Sequence, residues 1–263
     1  YEFGLRHLSS FLTIAGRLMS NSWGVGSTTT NETLSVEEVE STMCLRALWE
    51  ATRSSLVDAD VTTFRDVLRD VFMGYALPDT TSEEKMFVKR VKELLDGGGG
   101  DDVSGDATRH LIESEVMNHK MCEIRDVARQ RRGVCVVGSP STCKTTMLQL
   151  VARAESIIIQ PTINPMSMSV GTLYGAIHAT TREWIDGVLP YVIRSVQENV
   201  SLHSEGEVKQ TQQQWIVLDG PIVSSWVENL NTVLDDNEKL CLVSGETIHM
   251  KKETRIMMET DTL

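Results

Sequence analysis

"VVGSPSTCKTTMLQL", residues 136–150, joins an apolar run to a helical pattern through a glycine-led turn. Its spacing follows the phosphate-loop pattern G-x-x-x-x-G-K-[ST], with Cys143 in place of the second glycine. The run before it, "GVCVVG" from Gly133 to Gly138, is a buried-strand pattern, and a helix is expected from Lys144 to Ala154. A strand opening into a helix is the context such a loop needs. Amides at a helix N-terminus lack intrahelical partners and point outward, and the helix dipole adds a favourable field for an anion. Gly138, Ser139, Pro140, Ser141, Thr142, Cys143, Lys144, Thr145 and Thr146 are therefore the candidate cradle. Lys144 is placed to reach the β- and γ-phosphates, and the Thr145 hydroxyl to hold Mg²⁺. An ordinary strand-to-helix turn is the bland alternative, and the Lys-Thr pair after the loop argues against it. If Cys143 is left-handed, its Cβ costs about 1–2 kcal/mol, or roughly tenfold in affinity.

Working outward, a phosphate loop needs a second strand that ends in a carboxylate for its metal. "QWIVLDGP" supplies one: an apolar run closing on Asp219, expected to hold Mg²⁺ through water. Where a hydrolytic site carries a second acid to orient water, this chain has Gly220. No catalytic residue is therefore assigned.

Residues 1–95 read as helices. Leu5, Leu8, Phe11, Leu12, Ala15, Leu18 and Met19 share one face of the first, and Ser35-Val36-Glu37-Glu38 has capping-box form for the second. Phe64, Val67, Leu68, Val71 and Phe72 mark a third helix and "TSEEKMFVKRVKELL" a fourth. "DGGGGDDVSGD" is a flexible acidic break, giving a linker over 96–107. From 108 to 263 short β-branched runs ("GVCVVG", "SIIIQP", "QWIVLD") alternate with helices, including one near 224–233. That alternation predicts an α/β fold: a parallel sheet with helices on both faces, preceded by a helical subdomain.

The formal net charge of −12 over 263 residues excludes a general binder of nucleic acid or anionic membrane, while leaving room for a local phosphate site. Five cysteines without CxxC spacing favour reduced thiols in a cytosolic setting over a disulfide framework or zinc site. No signal peptide or membrane-spanning run is read, and Asn31-Glu32-Thr33 is taken as a chance sequon. The chain opens at Tyr1 inside a helical pattern and closes at "RIMMETDTL" inside a strand pattern, so it is expected to be part of a longer protein. Trp184 and Trp226 read as core or interface anchors, and Asp235-Asp236 as a solvated turn. His178 and His249 have no partner at ligand spacing.

"QQQWIVLDGPIVSSWVENLNTVLDDNEKLCLVSGE" resembles dynein heavy chains, specifically the second AAA+ module of the motor ring. "INPMSMSVGTLYGAIHATTREWIDGVL" is similar to the segment before that module's carboxylate strand, with its Leu-Tyr-Gly and Glu-Trp-x-Asp-Gly landmarks. "YEFGLRHLSSFLTIAGRL" resembles the helical lid closing the first module, whose Gly-Leu-Arg motif falls on Arg6. The resemblance implies an AAA+ P-loop NTPase core preceded by a lid-type subdomain, with ATP or ADP and Mg²⁺ as cofactors. It implies that Arg6 faces the preceding module's nucleotide. Lys144, Thr145 and Asp219 would contact this module's own, with Asp261 at the polar sensor position. It also implies a module that holds ATP without turning it over. The implied partners are neighbouring AAA+ modules, dynein intermediate and light chains, and microtubules, with no nucleic acid and no membrane. The implied location is the cytoplasm and cytoskeleton, with a lean to the ciliary axoneme. The family usually keeps the glycine that Cys143 replaces, which leaves a nucleotide-free scaffold open. A standalone phosphate-loop kinase or transferase would need an acid for its acceptor hydroxyl and a basic lid, and the sequence shows neither.

Overall fold

A computed structural model describes residues 3–24, 36–75, 82–96, 114–202, 212–235 and 237–262. The sequon, Ser35, Asp236 and most of the glycine-rich segment lie outside the described residues. The chain divides into two compact units, Tyr1–Lys85 and Met86–Leu263.

The first unit contains α1 (Leu5–Gly24), α2 (Val36–Arg53) and α3 (Asp58–Val71). Ile14 and Leu18 of α1 pack on Ala47 and Ala51 of α2. On another face of α2, Leu45 and Trp49 meet Leu68 of α3. The Trp49 ring stacks on Phe64 at 6.1 Å, with the Arg53 and Arg65 guanidinium groups 5.5 and 5.2 Å from its centre. The apolar stripe expected along α1 is only partly used. Leu5, Leu8 and Leu12 are exposed at 85, 52 and 59%, and Leu5 and Leu8 border an open apolar groove with Leu48 and Phe64.

The boundary between units falls inside α4 (Ser82–Asp96), earlier than the one expected at residue 95. The reason is burial: Phe87 and Val91 are fully enclosed in the second unit's core. The Arg125 guanidinium lies 4.8 Å from the Phe87 ring centre, and Arg90 and Arg129 reach Glu155 at 3.3 and 2.6 Å.

In the second unit, α5 (Glu115–Gln130) starts on Ser114, whose hydroxyl accepts the Met117 amide at 3.1 Å. The strands β1 (Gly133–Val137), β2 (Ile158–Ile159), β5 (Gln214–Asp219) and β8 (Thr254–Thr260) form one parallel sheet in the order β1-β8-β5-β2. Each central strand alternates its side chains between two buried faces. Trp215 and Val217 of β5, with Met257 of β8, face α4, α5 and α6 (Lys144–Ala154). Ile216, Leu218, Ile256 and Met258 face α7 (Val170–Tyr174), α8 (Val188–Leu202) and the segment around Trp226. This is the expected α/β architecture, a parallel sheet covered by helices on both sides. The expected helix near 224–233 is broken into α9 (Ser224–Val227), a 3₁₀ turn at Glu228–Leu230 and α10 (Asn231–Leu234).

Two antiparallel hairpins stand outside the sheet: β3 (Gly175–Ile177) with β4 (Trp184–Asp186), and β6 (Lys239–Cys241) with β7 (Thr247–His249). Arg194 of α8 links them, bonding Asp186 of the first and Glu246 of the second. The Leu-Tyr-Gly and Glu-Trp-x-Asp-Gly landmarks meet at the base of the first hairpin. Gly175 sits at φ +107, and a Cβ on Gly187 would run into the Gly175 amide and the Leu173 carbonyl. Backbone atoms cannot yield as a side chain can. Gly187→Ala is therefore expected to cost about 2–3 kcal/mol, read as a fall in the urea midpoint. The same change at Gly245, which has no atom within 4 Å of a built Cβ but a φ of +88, tests dihedral strain without the clash.

Candidate functional site

β1, β5 and β8 run parallel, so their carboxyl ends share one edge of the sheet. In open α/β sheets ligands bind outside that edge, where loops and helix N-termini gather. The chain leaves β1 there, traverses residues 138–143 and enters α6 at Lys144.

The loop is tight. Thr142 Oγ1 donates to the Ser139 carbonyl at 2.8 Å, and a Cβ on Gly138 would lie 3.0 Å from that hydroxyl. Ser141 and Cys143 both adopt left-handed backbone, at φ 64 and 63. Cys143 is the N-cap of α6, is exposed and gives no side-chain capping bond. The left-handed condition set out from sequence holds. The penalty is about 1–2 kcal/mol for a residue with a Cβ.

Lys144 folds back over the loop. Its Nζ donates to the Gly138 carbonyl at 2.5 Å and the Ser139 carbonyl at 3.0 Å, and pairs with Asp261 Oδ1 at 3.3 Å. Its side chain is 11% exposed while that of Asp261 is 61% exposed, so one partner is half-buried and the other open to water. The Lys144 ammonium that a phosphate would engage is thus occupied by the protein's own oxygens.

Asp219 ends β5 as an exposed carboxylate. Beside it in register on β8 is Glu259, which sequence reasoning missed. Glu259 is 2% exposed, and its Oε2 accepts the Thr145 hydroxyl at 2.6 Å. Burial raises its carboxyl above the ordinary range, the Thr145 hydrogen bond opposes this, Asp219 adds to it, and Lys144 opposes it more weakly. A signal was present: a lone acid inside the apolar run "RIMME", two residues before Asp261 and so on the same side of the strand. Gly220 follows Asp219 at φ +154, its amide bonded to the Glu259 carbonyl at 3.0 Å. No carboxylate stands at that position.

The structure therefore brings residues 138–146, Asp219, Glu259 and Asp261 to one edge. Arg6 is in α1 of the other unit, and its side chain lies outside the described residues. Hydroxyl and carboxylate oxygens are the hard donors that suit Mg²⁺, so Thr145 and Asp219 fit the ion the loop pattern implies.

A parallel sheet ordered β1-β8-β5-β2, with a phosphate-type loop after β1 and an acid at the end of β5, is the core of an AAA+ P-loop domain. The family model described as the hydrolytic ATP binding site of the dynein motor region matches residues 1–145. The chain belongs to that family, the dynein heavy chains. It is 30% identical over 270 residues to dynein axonemal heavy chain 3 of Homo sapiens, covering 98% of this chain and 6% of that protein. It is 31% identical over 269 residues to the cytoplasmic dynein heavy chain of Fusarium vanettenii, covering 100% of this chain and 6% of that one. Dynein axonemal heavy chain 1 of Homo sapiens is 29% identical over 280 residues, again with 100% and 6% covered. The chain thus spans about 6% of the length of these relatives.

If the left-handed backbone at Cys143 is strained, Cys143→Gly gains stability where a glycine normally loses it. An increase of about 1 kcal/mol is expected from urea unfolding, and Cys143→Val, which adds branching at the same dihedral, moves the midpoint the other way.

Proposed function

We propose that the second unit is the nucleotide-binding core of a motor-ring AAA+ module, holding ATP or ADP with Mg²⁺ as a structural or regulatory site with little or no hydrolysis. One observation carries the reading: Lys144 and Thr145 open α6 at the same sheet edge as Asp219, while the next position is Gly220. Lys144 would exchange two carbonyls and Asp261 for phosphate oxygens, and Thr145 and Asp219 would hold the ion. Asp261, one residue past β8, would be released from Lys144 and could then read the γ-phosphate. With glycine after Asp219, no side chain there can orient water.

For the first unit the resemblance supports the lid of the preceding module, with Arg6 directed to that module's nucleotide. The parent protein is then a microtubule motor driven by ATP. It would engage neighbouring modules, intermediate and light chains, and microtubules in the cytoplasm or the axoneme. Both axonemal and cytoplasmic relatives match at near-equal identity, so the module assignment does not depend on the subtype.

A nucleotide-free scaffold is the second reading, favoured by the self-satisfied Lys144 and by Cys143 at the loop exit. Titration with a fluorescent ATP analogue and Mg²⁺ separates the two. Binding is expected for the native chain, lost in Lys144→Ala and about tenfold tighter in Cys143→Gly. Equal, negligible binding in all three establishes the scaffold, and rapid turnover by the native chain defeats the reading of Gly220.

A further inference from the structure

Thr145 carries one hydroxyl proton and two lone pairs, so the direction of that proton decides what the oxygen offers to a cation. Inside a helix a threonine hydroxyl turns back onto the carbonyl three or four residues before it, but Thr145 is the second residue of α6 and those carbonyls belong to the loop. Here the proton goes to Glu259 Oε2 at 2.6 Å instead. A bond to a carboxylate is roughly twice as strong as one to a neutral carbonyl.

Glu259 is well placed to impose that choice. β8 is paired on both sides, with Glu259 in register with Val136 of β1 and Asp219 of β5, and the residue is 2% exposed. Its backbone therefore has little freedom, and its side chain reaches Thr145 across the space between sheet and helix. Asp219 stands beside it in register on the adjacent strand.

We propose that Glu259 is a positioning residue for the ion: by taking the Thr145 proton it holds the hydroxyl in the rotamer whose lone pairs face the Mg²⁺ position. This rests on the nucleotide reading above and assigns the work to a residue outside the loop and outside the carboxylate strand. Its loss acts on the part of nucleotide affinity that Mg²⁺ adds and spares the part that Lys144 and the loop amides supply.

The test compares the affinity of the 263-residue chain for a fluorescent ATP analogue in Mg²⁺ and in EDTA. Glu259→Ala leaves a cavity, so Glu259→Met, which keeps the volume, is measured beside it, with Glu259→Gln retaining an acceptor oxygen. The gain from Mg²⁺ is expected to fall about tenfold in Glu259→Met and in Thr145→Val, the loss of one hydrogen bond to a charged group. Glu259→Gln keeps it within about threefold, and affinity in EDTA stays within about twofold in the Glu259 variants. The double variant Glu259→Met/Thr145→Val should be no worse than Thr145→Val alone, because both remove the same bond. An unchanged gain in Glu259→Met, or equal losses in Mg²⁺ and EDTA, overturns the proposal and leaves the nucleotide site standing. Failure of the native chain to bind under either condition overturns both.

Discussion

β8 is last in the chain and central in the sheet, hydrogen-bonded to β1 on one side and β5 on the other. That insertion sets the geometry of the site. Parallel strands in register bring their carboxyl ends to a common edge, so the loop after β1 and the acid closing β5 face the same solvent. Glu259 and Asp261 then arrive between them, one bonded to Thr145 and the other to Lys144. Each of the two helix residues that define the phosphate-loop pattern is thus answered by an acid of the strand between.

Burial on both faces makes this arrangement stiff. Trp215, Ile216, Met257 and Ile256 are all fully enclosed, alternating from one side of the sheet to the other. In the loop, Ser141 and Cys143 hold left-handed backbone. Strain at such a point persists only where the surroundings over-determine it. Here the surroundings are Lys144, clamped on two loop carbonyls, and Thr142, clamped on Ser139.

The parts legible in the sequence are those in which local pattern and tertiary role agree. β1, the loop and α6 could be read because an apolar run, a glycine and a Lys-Thr pair each say the same thing. β5 was legible for its unbroken apolar run closing on Asp219. The departures have separate causes. "SIIIQP" yields only Ile158–Ile159 as ladder, and among the described residues β2 is an edge strand paired with β5 alone. The stretch after Pro221 keeps helical periodicity yet breaks at Glu228–Leu230, where the need to seat Trp226 and Leu230 in the core overrides propensity. α4 crosses into the second unit because Phe87 and Val91 fit its core, a choice no local pattern encodes. The apolar run "RIMME" marks Glu259 as a buried acid, but its role depends on a partner, Thr145, that lies 114 residues away.

A crystal structure of the chain with Mg²⁺ and a non-hydrolysable ATP analogue puts the central claim to its most direct test. The account predicts triphosphate against residues 138–145, with Lys144 Nζ moved off the Gly138 and Ser139 carbonyls and the Thr145 hydroxyl on the ion while still bonded to Glu259. An analogue seated elsewhere, or a loop unchanged at saturating concentration, would contradict it.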